Sequence, residues 1–193
     1  RSVPFLTPII VRVVENLFNI KPLVLGQGIK SGIKLNVDHP LEVGADIIAV
    51  AAGAFIFGTG PFIIIDLGTG NKYIYVDEKR VFHGVAISSG LMTSFAALID
   101  GADQLLTVPL TFPKKVLGKN TKDSLASGAL YGLLSEVEGF VDRIISEVDK
   151  DVTLLITGGN AEYIKEALPA HYVYEPNLVH YGLLTILERN NEK

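Results

Sequence analysis

The 193-residue chain contains no cysteine. This absence excludes disulfide bonds, thiolate metal ligands and a cysteine nucleophile, and it agrees with the reducing cytoplasm as the expected location. The chain also lacks a cluster of basic residues: 17 Lys and Arg stand against 21 Asp and Glu, for a net charge of −4. We therefore expect neither a nucleic-acid partner nor binding to an anionic membrane surface.

One stretch has no charged residue and approaches the length of a membrane span. It runs from Ile47 to Ile65 and reads IIAVAAGAFIFGTGPFIII. The segment GTGP (58–61) interrupts it, because glycine and proline punctuate both helices and strands. The part before this break is rich in alanine, and the part after it is rich in isoleucine. The stretch therefore predicts a buried helix followed by a buried strand, and no membrane partner is expected.

The hydrophobic periodicity predicts an α/β fold with a mixed sheet and flanking helices. Thr7 and Pro8 predict the start of a first helix. Further helices are predicted over 42–57, 91–99 and 122–148, shortly after residue 159, and from residue 177. Strands are predicted over 21–26, 62–66, 73–76, 81–87, 152–156 and 172–175. The helix over 122–148 is the longest, and its apolar stripe keeps helical register.

The stretch FIIIDLGTGN (62–71) ends an apolar strand with a carboxylate, followed by small and hydroxylated residues. One interpretation is a tight hairpin turn, for which these residues are suitable. The other is a phosphate site: Gly68 lets the backbone approach a ligand, the Thr69 hydroxyl bonds a phosphate oxygen, and Asp66 holds a cation. From the motif alone, the plain turn is favoured.

Two other junctions raise the same question. Gly158 and Gly159 follow the predicted strand over 152–156, where unpaired N–H groups at a helix start would face a ligand. The alternative there is ordinary helix entry. Thr121 precedes the longest predicted helix and is a natural N-cap, which locally is the stronger interpretation.

Asp46 is unusual because it lies in an otherwise apolar predicted helix, where a carboxylate is costly to bury without a partner. It could complement the positive N-terminal end of that helix. It could also act as a general base, since proton acceptance requires a carboxylate in a shaped site. The four histidines show no metal-ligand spacing, and no Ser-His-Asp set can be argued.

Five stretches, in this order, resemble the type III pantothenate kinases of the acetate-kinase, Hsp70 and actin-like superfamily. They are IKSGIKL (29–35), HPLEVGADI (39–47), FIIIDLGTG (62–70), VLGKNTKDSLASGALYG (116–132) and TGGNAEYI (157–164). The resemblance covers essentially the whole chain. It implies an actin-like (ribonuclease H-like) fold and ATP-dependent phosphorylation of pantothenate, the first step of coenzyme A synthesis. It also implies a homodimer that uses Mg²⁺ and a monovalent cation such as K⁺ or NH₄⁺.

Carried over by position, the resemblance implies roles for individual residues. The residues implied to contact pantothenate are Gly44, Ala45, Asp46, Ile47 and Thr121. Those implied to contact ATP are Gly68, Thr69, Gly158 and Gly159. Asp46 would accept the proton of the substrate hydroxyl, and Asp66 would hold the monovalent cation.

The chain departs from the family pattern in several places. The family's first phosphate motif, Asp-x-Gly-Asn-Thr, is absent, and the chain begins at Arg1, so we expect a further region upstream. Ile47 stands where an arginine is usual, and the segment 70–72 reads Gly-Asn-Lys where Ala-Thr-Thr is usual. Two alternatives therefore stay open. The chain could be a non-catalytic homologue with a binding or regulatory role, or a related kinase for another small hydroxylated substrate.

A division into two domains is expected near Gly60. Residues 1–60 would complete an N-terminal actin-like domain, and residues 61–193 would form the C-terminal actin-like domain. The expectation rests on the resemblance together with the glycine- and proline-rich break at GTGP (58–61).

Overall fold

The computed structural model describes residues 5–101 and 109–191. Its α-helices are α1 (Leu6–Phe18), α2 (Ala45–Ala54), α3 (Leu91–Asp100), α4 (Thr121–Val148) and α5 (Leu178–Asn191). Its strands are β1 (Lys34–Leu35), β2 (Phe62–Leu67), β3 (Gly70–Val76), β4 (Val81–Ser89), β5 (Thr153–Thr157) and β6 (Tyr172–Tyr174). Short 3₁₀ helices cover Pro40–Glu42, Gly159–Tyr163 and Lys165–Ala167.

The strands form one mixed sheet in the order β1-β4-β3-β2-β5-β6. Strands β2, β3 and β4 make an antiparallel meander, and β5 runs parallel to β2 on the meander's other side. Strand β6 continues parallel to β5, and β1 pairs in parallel with β4. This is the strand arrangement of the ribonuclease H-like fold, so the predicted fold class is confirmed.

Alternate side chains of β2 enter two hydrophobic cores, one on each face of the sheet. Phe62 and Ile64 pack in the core with α2 and α5, whereas Ile63 and Ile65 pack in the core with α3 and α4. All four are fully buried. A strand covered on both faces reads as a continuous apolar run, which is why the sequence of β2 shows no alternation.

Helices α2 and α5 pack closely because glycines line their contact. A Cβ atom added at Gly182 of α5 would lie 1.8 Å from the carbonyl oxygen of Ala49 in α2. A Cβ added at Gly53 would lie 2.4 Å from the carbonyl oxygen of Leu178. The apolar character of α2 is therefore explained by burial between the sheet and α5. Among the described residues, the helices are all too short or too polar to cross a bilayer.

Three local predictions were wrong. The segment 21–26 forms no strand, since it joins no ladder of the sheet, and a strand needs such a partner for its backbone groups. Helix α1 begins at Leu6, and its N-cap Phe5 provides no side-chain hydrogen bond, so Thr7 does not cap it. The segment after Gly158 forms 3₁₀ helices, where an α-helix was predicted.

The longest helix was predicted to within one residue, but its cap was not. The side chain of Asn120 accepts a hydrogen bond from the backbone N–H of Asp123 at 2.9 Å, which makes Asn120 the N-cap and places Thr121 in the first turn. The helix packs against the sheet through buried apolar residues that include Leu133 and Val137. The division near Gly60 stays a prediction.

Candidate active site

Asp46 lies in the first turn of α2, two residues after the N-cap Gly44. A Cβ atom at residue 44 would stand 2.4 Å from Asp46 Oδ1, so the glycine makes room for this carboxylate. The helix behind it is buried, but half of the Asp46 side chain is exposed. The positive end of a helix stabilises a carboxylate at this position. Asp46 is thus a fixed negative charge that faces solvent from a buried helix.

The Asp66 side chain points to the face of the sheet on which α2 packs, because side chains alternate along β2 and Phe62, Ile64 and Asp66 share one face. In the antiparallel ladder it stands opposite Lys72 of β3. The Lys72 ammonium lies 2.8 Å from Asp66 Oδ2 and 3.3 Å from Asp46 Oδ2. The two carboxylates singled out from the sequence are therefore brought together, with a lysine between them.

The Lys72 ammonium is held in its charged form by its two neighbours. Burial alone would lower the pKa of Lys72, but the hydrogen bond and negative charge of Asp66, followed by those of Asp46, raise the pKa above its ordinary value. The Lys72 and Asp66 side chains are only 19% and 17% exposed. Partial burial strengthens the attraction between these charges, because water screens them less.

The turn between β2 and β3 lies at the same end of the sheet and is held from two sides. The carbonyl of Thr69 accepts hydrogen bonds from the backbone N–H of Gly90 at 3.0 Å and from the Thr93 hydroxyl at 2.9 Å. The carbonyl of Gly68 accepts a hydrogen bond from Asn160 Nδ2 at 2.7 Å. These bonds leave the Thr69 side chain exposed.

The two segments predicted to contact ATP meet at this turn. Gly158 has a φ of +91°, and a Cβ atom there would lie 2.4 Å from the Leu67 carbonyl oxygen, so only glycine fits. The neighbouring Gly159 is exposed, and a Cβ there would meet nothing within 4 Å. Backbone groups of both segments can therefore approach a ligand at the end of β2 that carries Asp66.

Thr121 and Ile47 are placed differently from the other predicted site residues. Thr121 begins α4, which packs on the face of the sheet opposite α2, so one copy of the chain does not bring it to Asp46. Ile47 is 6% exposed and lies in the core with α2 and α5. Ala45, in the first turn of α2, is partly buried beside Asp46.

Comparisons with known proteins identify the family of this chain. The family model described as type III pantothenate kinase matches residues 2–143. The chain is 40% identical over 178 residues to a type III pantothenate kinase from an Exiguobacterium species, covering 92% of this chain and 70% of that protein. The chain belongs to this family. It is likewise 39% identical over 180 residues to the type III pantothenate kinase of Bacillus cytotoxicus, covering 93% of this chain and 68% of that protein.

The type III pantothenate kinase fold is also seen in a distant solved structure. A Baf family protein from Campylobacter jejuni superposes with a TM-score of 0.64 at 17% identity, covering 100% of this chain and 81% of that one. At this identity, the likeness shows the fold alone.

Lys72 was not predicted as a site residue from the sequence of this type III pantothenate kinase. The sequence marks it only as a departure from the usual Ala-Thr-Thr segment, because the pairing with Asp66 depends on the register of the β2–β3 hairpin. Asn160, whose amide donates a hydrogen bond to the Gly68 carbonyl, was missed as well. Within the part of the chain that the structure describes, no three His, Asp or Glu side chains gather as a metal site.

The opposite face of the sheet carries a second polar group that the sequence did not reveal. Glu136 of α4 accepts hydrogen bonds from the Tyr73 hydroxyl at 2.7 Å, from Asn71 Nδ2 at 3.1 Å and from Ser88. Burial, together with the hydrogen bond and charge of Glu136, raises the pKa of Tyr73 far above its ordinary value. Glu136 and Asn71 also line a cavity of about 300 Å³ between α3 and α4.

Proposed function

We propose that this protein transfers the γ-phosphoryl group of ATP to the primary hydroxyl of pantothenate. The observation that carries the proposal is the meeting of Asp46, Asp66 and the Gly68–Thr69 turn at one end of the sheet, in a chain of this family. Phosphoryl transfer depends mainly on positioning and on stabilising charge, and this arrangement can provide both. The names of the two bacterial relatives support pantothenate as the substrate.

Asp46 is proposed as the general base. Its Oδ2 contacts Lys72, whereas its Oδ1 lies on the side of Gly44. In the proposed step, the pantothenate hydroxyl oxygen bonds to the γ-phosphorus while its proton passes to Asp46 Oδ1 and ADP leaves. The neighbouring Gly44 and Ala45 would form the wall against which pantothenate lies, with Ile47 supporting that wall from the core.

The glycine segments are proposed to hold ATP. Gly68 and Thr69 would contact the phosphates, and Gly158 and Gly159 the adenosine side. Mg²⁺ is commonly bound through one or two carboxylates plus substrate phosphates, and the Oδ1 oxygen of Asp66, to which Lys72 donates no hydrogen bond, would be its carboxylate ligand. When bound, Mg²⁺ would offset the negative charge of the phosphates.

A free monovalent cation does not fit the same place. The place between Asp46 and Asp66 is already taken by the Lys72 ammonium, which lies 2.8 Å from Asp66 Oδ2 and 3.3 Å from Asp46 Oδ2. Two cations on one carboxylate oxygen would repel each other, so no step of the proposed reaction uses K⁺.

We further propose a homodimer, a cytoplasmic location and the division near Gly60. The position of Thr121 supports the proposed dimer. Because α4 and α2 lie on opposite faces of the sheet, Thr121 can contact pantothenate at Asp46 only if a second copy supplies it.

The proposal is tested by measuring ADP formation by the full-length protein with ATP, Mg²⁺ and pantothenate. We expect ADP release that requires pantothenate, and calorimetry should detect binding of both substrates. A protein that binds ATP but does not phosphorylate pantothenate would point to the kinase for another hydroxylated substrate. A protein that binds neither would be the non-catalytic homologue, and the kinase proposal would be wrong.

A further inference from the structure

Lys72 stands where two negative groups converge. Its ammonium contacts Oδ2 of both Asp46 and Asp66, at 3.3 Å and 2.8 Å. The lysine side chain is 19% exposed, so the contact is partly shielded from water. Its position is set by the backbone, because residue 72 pairs with residue 66 across the β2–β3 hairpin. Directly opposed residues of opposite charge interact favourably in such a ladder.

Electrostatics favours a positive charge at this place. Two carboxylates close together raise each other's energy, and the phosphates of ATP would add further negative charge nearby. A lysine ammonium and a monovalent ion carry the same single charge. The lysine is attached to the chain, however, and therefore needs no binding from solution.

We propose that Lys72 is a built-in cation that takes the place of a free monovalent cation between Asp46 and Asp66. It acts as a positioning residue that orients both carboxylates and offsets their charge. This inference rests on the proposed kinase function, since it assigns the charge balance of that same site. It predicts that ATP binding and turnover do not depend on K⁺, although the family resemblance implies such dependence.

The substitution Lys72→Thr separates a charge role from a merely structural one. It removes the ammonium and leaves space and a hydroxyl oxygen where a K⁺ ion could bind. Lys72→Arg keeps the charge, whereas Lys72→Met removes the charge but fills much of the space. We therefore expect K⁺ to rescue the threonine variant, to rescue the methionine variant little, and to leave the arginine variant unaffected.

The experiment compares the wild-type full-length protein with these variants in KCl and in tetramethylammonium chloride at equal ionic strength. Calorimetry gives the affinity for Mg·ATP, and ADP release gives kcat and KM. For the wild type, the ATP affinity and kcat should each differ by less than about twofold between the two salts, since the charge of Lys72 is part of the chain and needs no added ion. Lys72→Thr should bind ATP about tenfold more weakly without K⁺ and recover in KCl, as expected for loss of a charged contact.

Lys150→Thr is the matched control, because Lys150 pairs with Glu78 at 2.8 Å on an exposed surface at the other end of the sheet. It should behave like the wild type in both salts. A wild-type protein that binds ATP and turns over only with K⁺ would overturn the inference while leaving the kinase proposal intact. A Lys72→Thr variant equally active or equally impaired in both salts would also overturn it. Absence of both ATP binding and ADP release would overturn the kinase proposal, and this inference with it.

Discussion

Gly90 lies directly against Gly68: a Cβ atom at residue 90 would stand 2.0 Å from the Gly68 carbonyl oxygen. The Gly90 N–H also donates to the carbonyl of Thr69 at 3.0 Å. Since Gly90 is the N-cap of α3, the start of this helix fixes the position of the turn that is proposed to hold ATP. The turn is therefore set by its packing partners as well as by its own sequence.

We expect Gly90→Ala to weaken ATP binding, because the added methyl group must displace the backbone at residues 68–69. Forcing extra volume into a packed site costs about 1–3 kcal/mol, so the free energy of unfolding should fall by a similar amount. Calorimetry with Mg·ATP and urea denaturation measure the two effects.

Gly128→Ala is the control for this substitution. Gly128 lies within α4, and a Cβ there would meet nothing within 4 Å. Alanine in a helix should raise the free energy of unfolding by up to about 1 kcal/mol, with ATP affinity unchanged. A Gly90→Ala protein that matched Gly128→Ala in both measurements would show that the turn tolerates the methyl group.

Asp46→Asn should lower kcat for pantothenate phosphorylation by about a hundredfold or more, because the amide cannot accept the substrate proton. ATP affinity should change much less than kcat. Steady-state kinetics and calorimetry give the two quantities, and circular dichroism shows whether the variant is folded. Asp142→Asn, on an exposed part of α4, is the control and should keep the wild-type rate. A folded Asp46→Asn protein with wild-type kcat would rule out the general-base role.

Tyr73 should make the protein less stable at alkaline pH. Its pKa is raised in the folded state, so above its unfolded pKa of about 10 the unfolded chain binds fewer protons than the folded one. Stability therefore falls as pH rises, by about 1.4 kcal/mol per pH unit well above pH 10. Tyr73→Phe removes this loss, although it also removes the hydrogen bond to Glu136.

The measurement is urea denaturation at pH 8 and pH 11. Tyr73→Phe should have a lower free energy of unfolding than the wild type at pH 8. At pH 11 the difference in free energy of unfolding between the two proteins should be smaller by about 1.4 kcal/mol. Tyr163→Phe, which removes a tyrosine hydroxyl at an exposed position, is the matched control variant. A constant difference between wild type and Tyr73→Phe at both pH values would contradict the prediction.

Much of the fold could be predicted from local sequence. The apolar run of β2, the polar turns on either side of β3 and the register of α4 each reflect a periodicity or a turn that neighbouring residues determine. The 3₁₀ helices after Gly158 and the absence of a strand over 21–26 could not be predicted in this way. Those outcomes depend on which backbone groups find partners in the sheet.

Local sequence was enough to identify the family, the candidate carboxylates Asp46 and Asp66, and the glycines predicted to approach a ligand, because these follow from residue types in a fixed order. The three-dimensional fold decided that Lys72 joins the two carboxylates. That contact requires the pairing of β2 with β3 and the packing of α2 on one face of the sheet. It also decided that Thr121 lies away from Asp46, because the two helices that carry them cover opposite faces. Contacts between distant segments depend on strand register and on which face of the sheet each helix covers. A local sequence pattern determines neither of these.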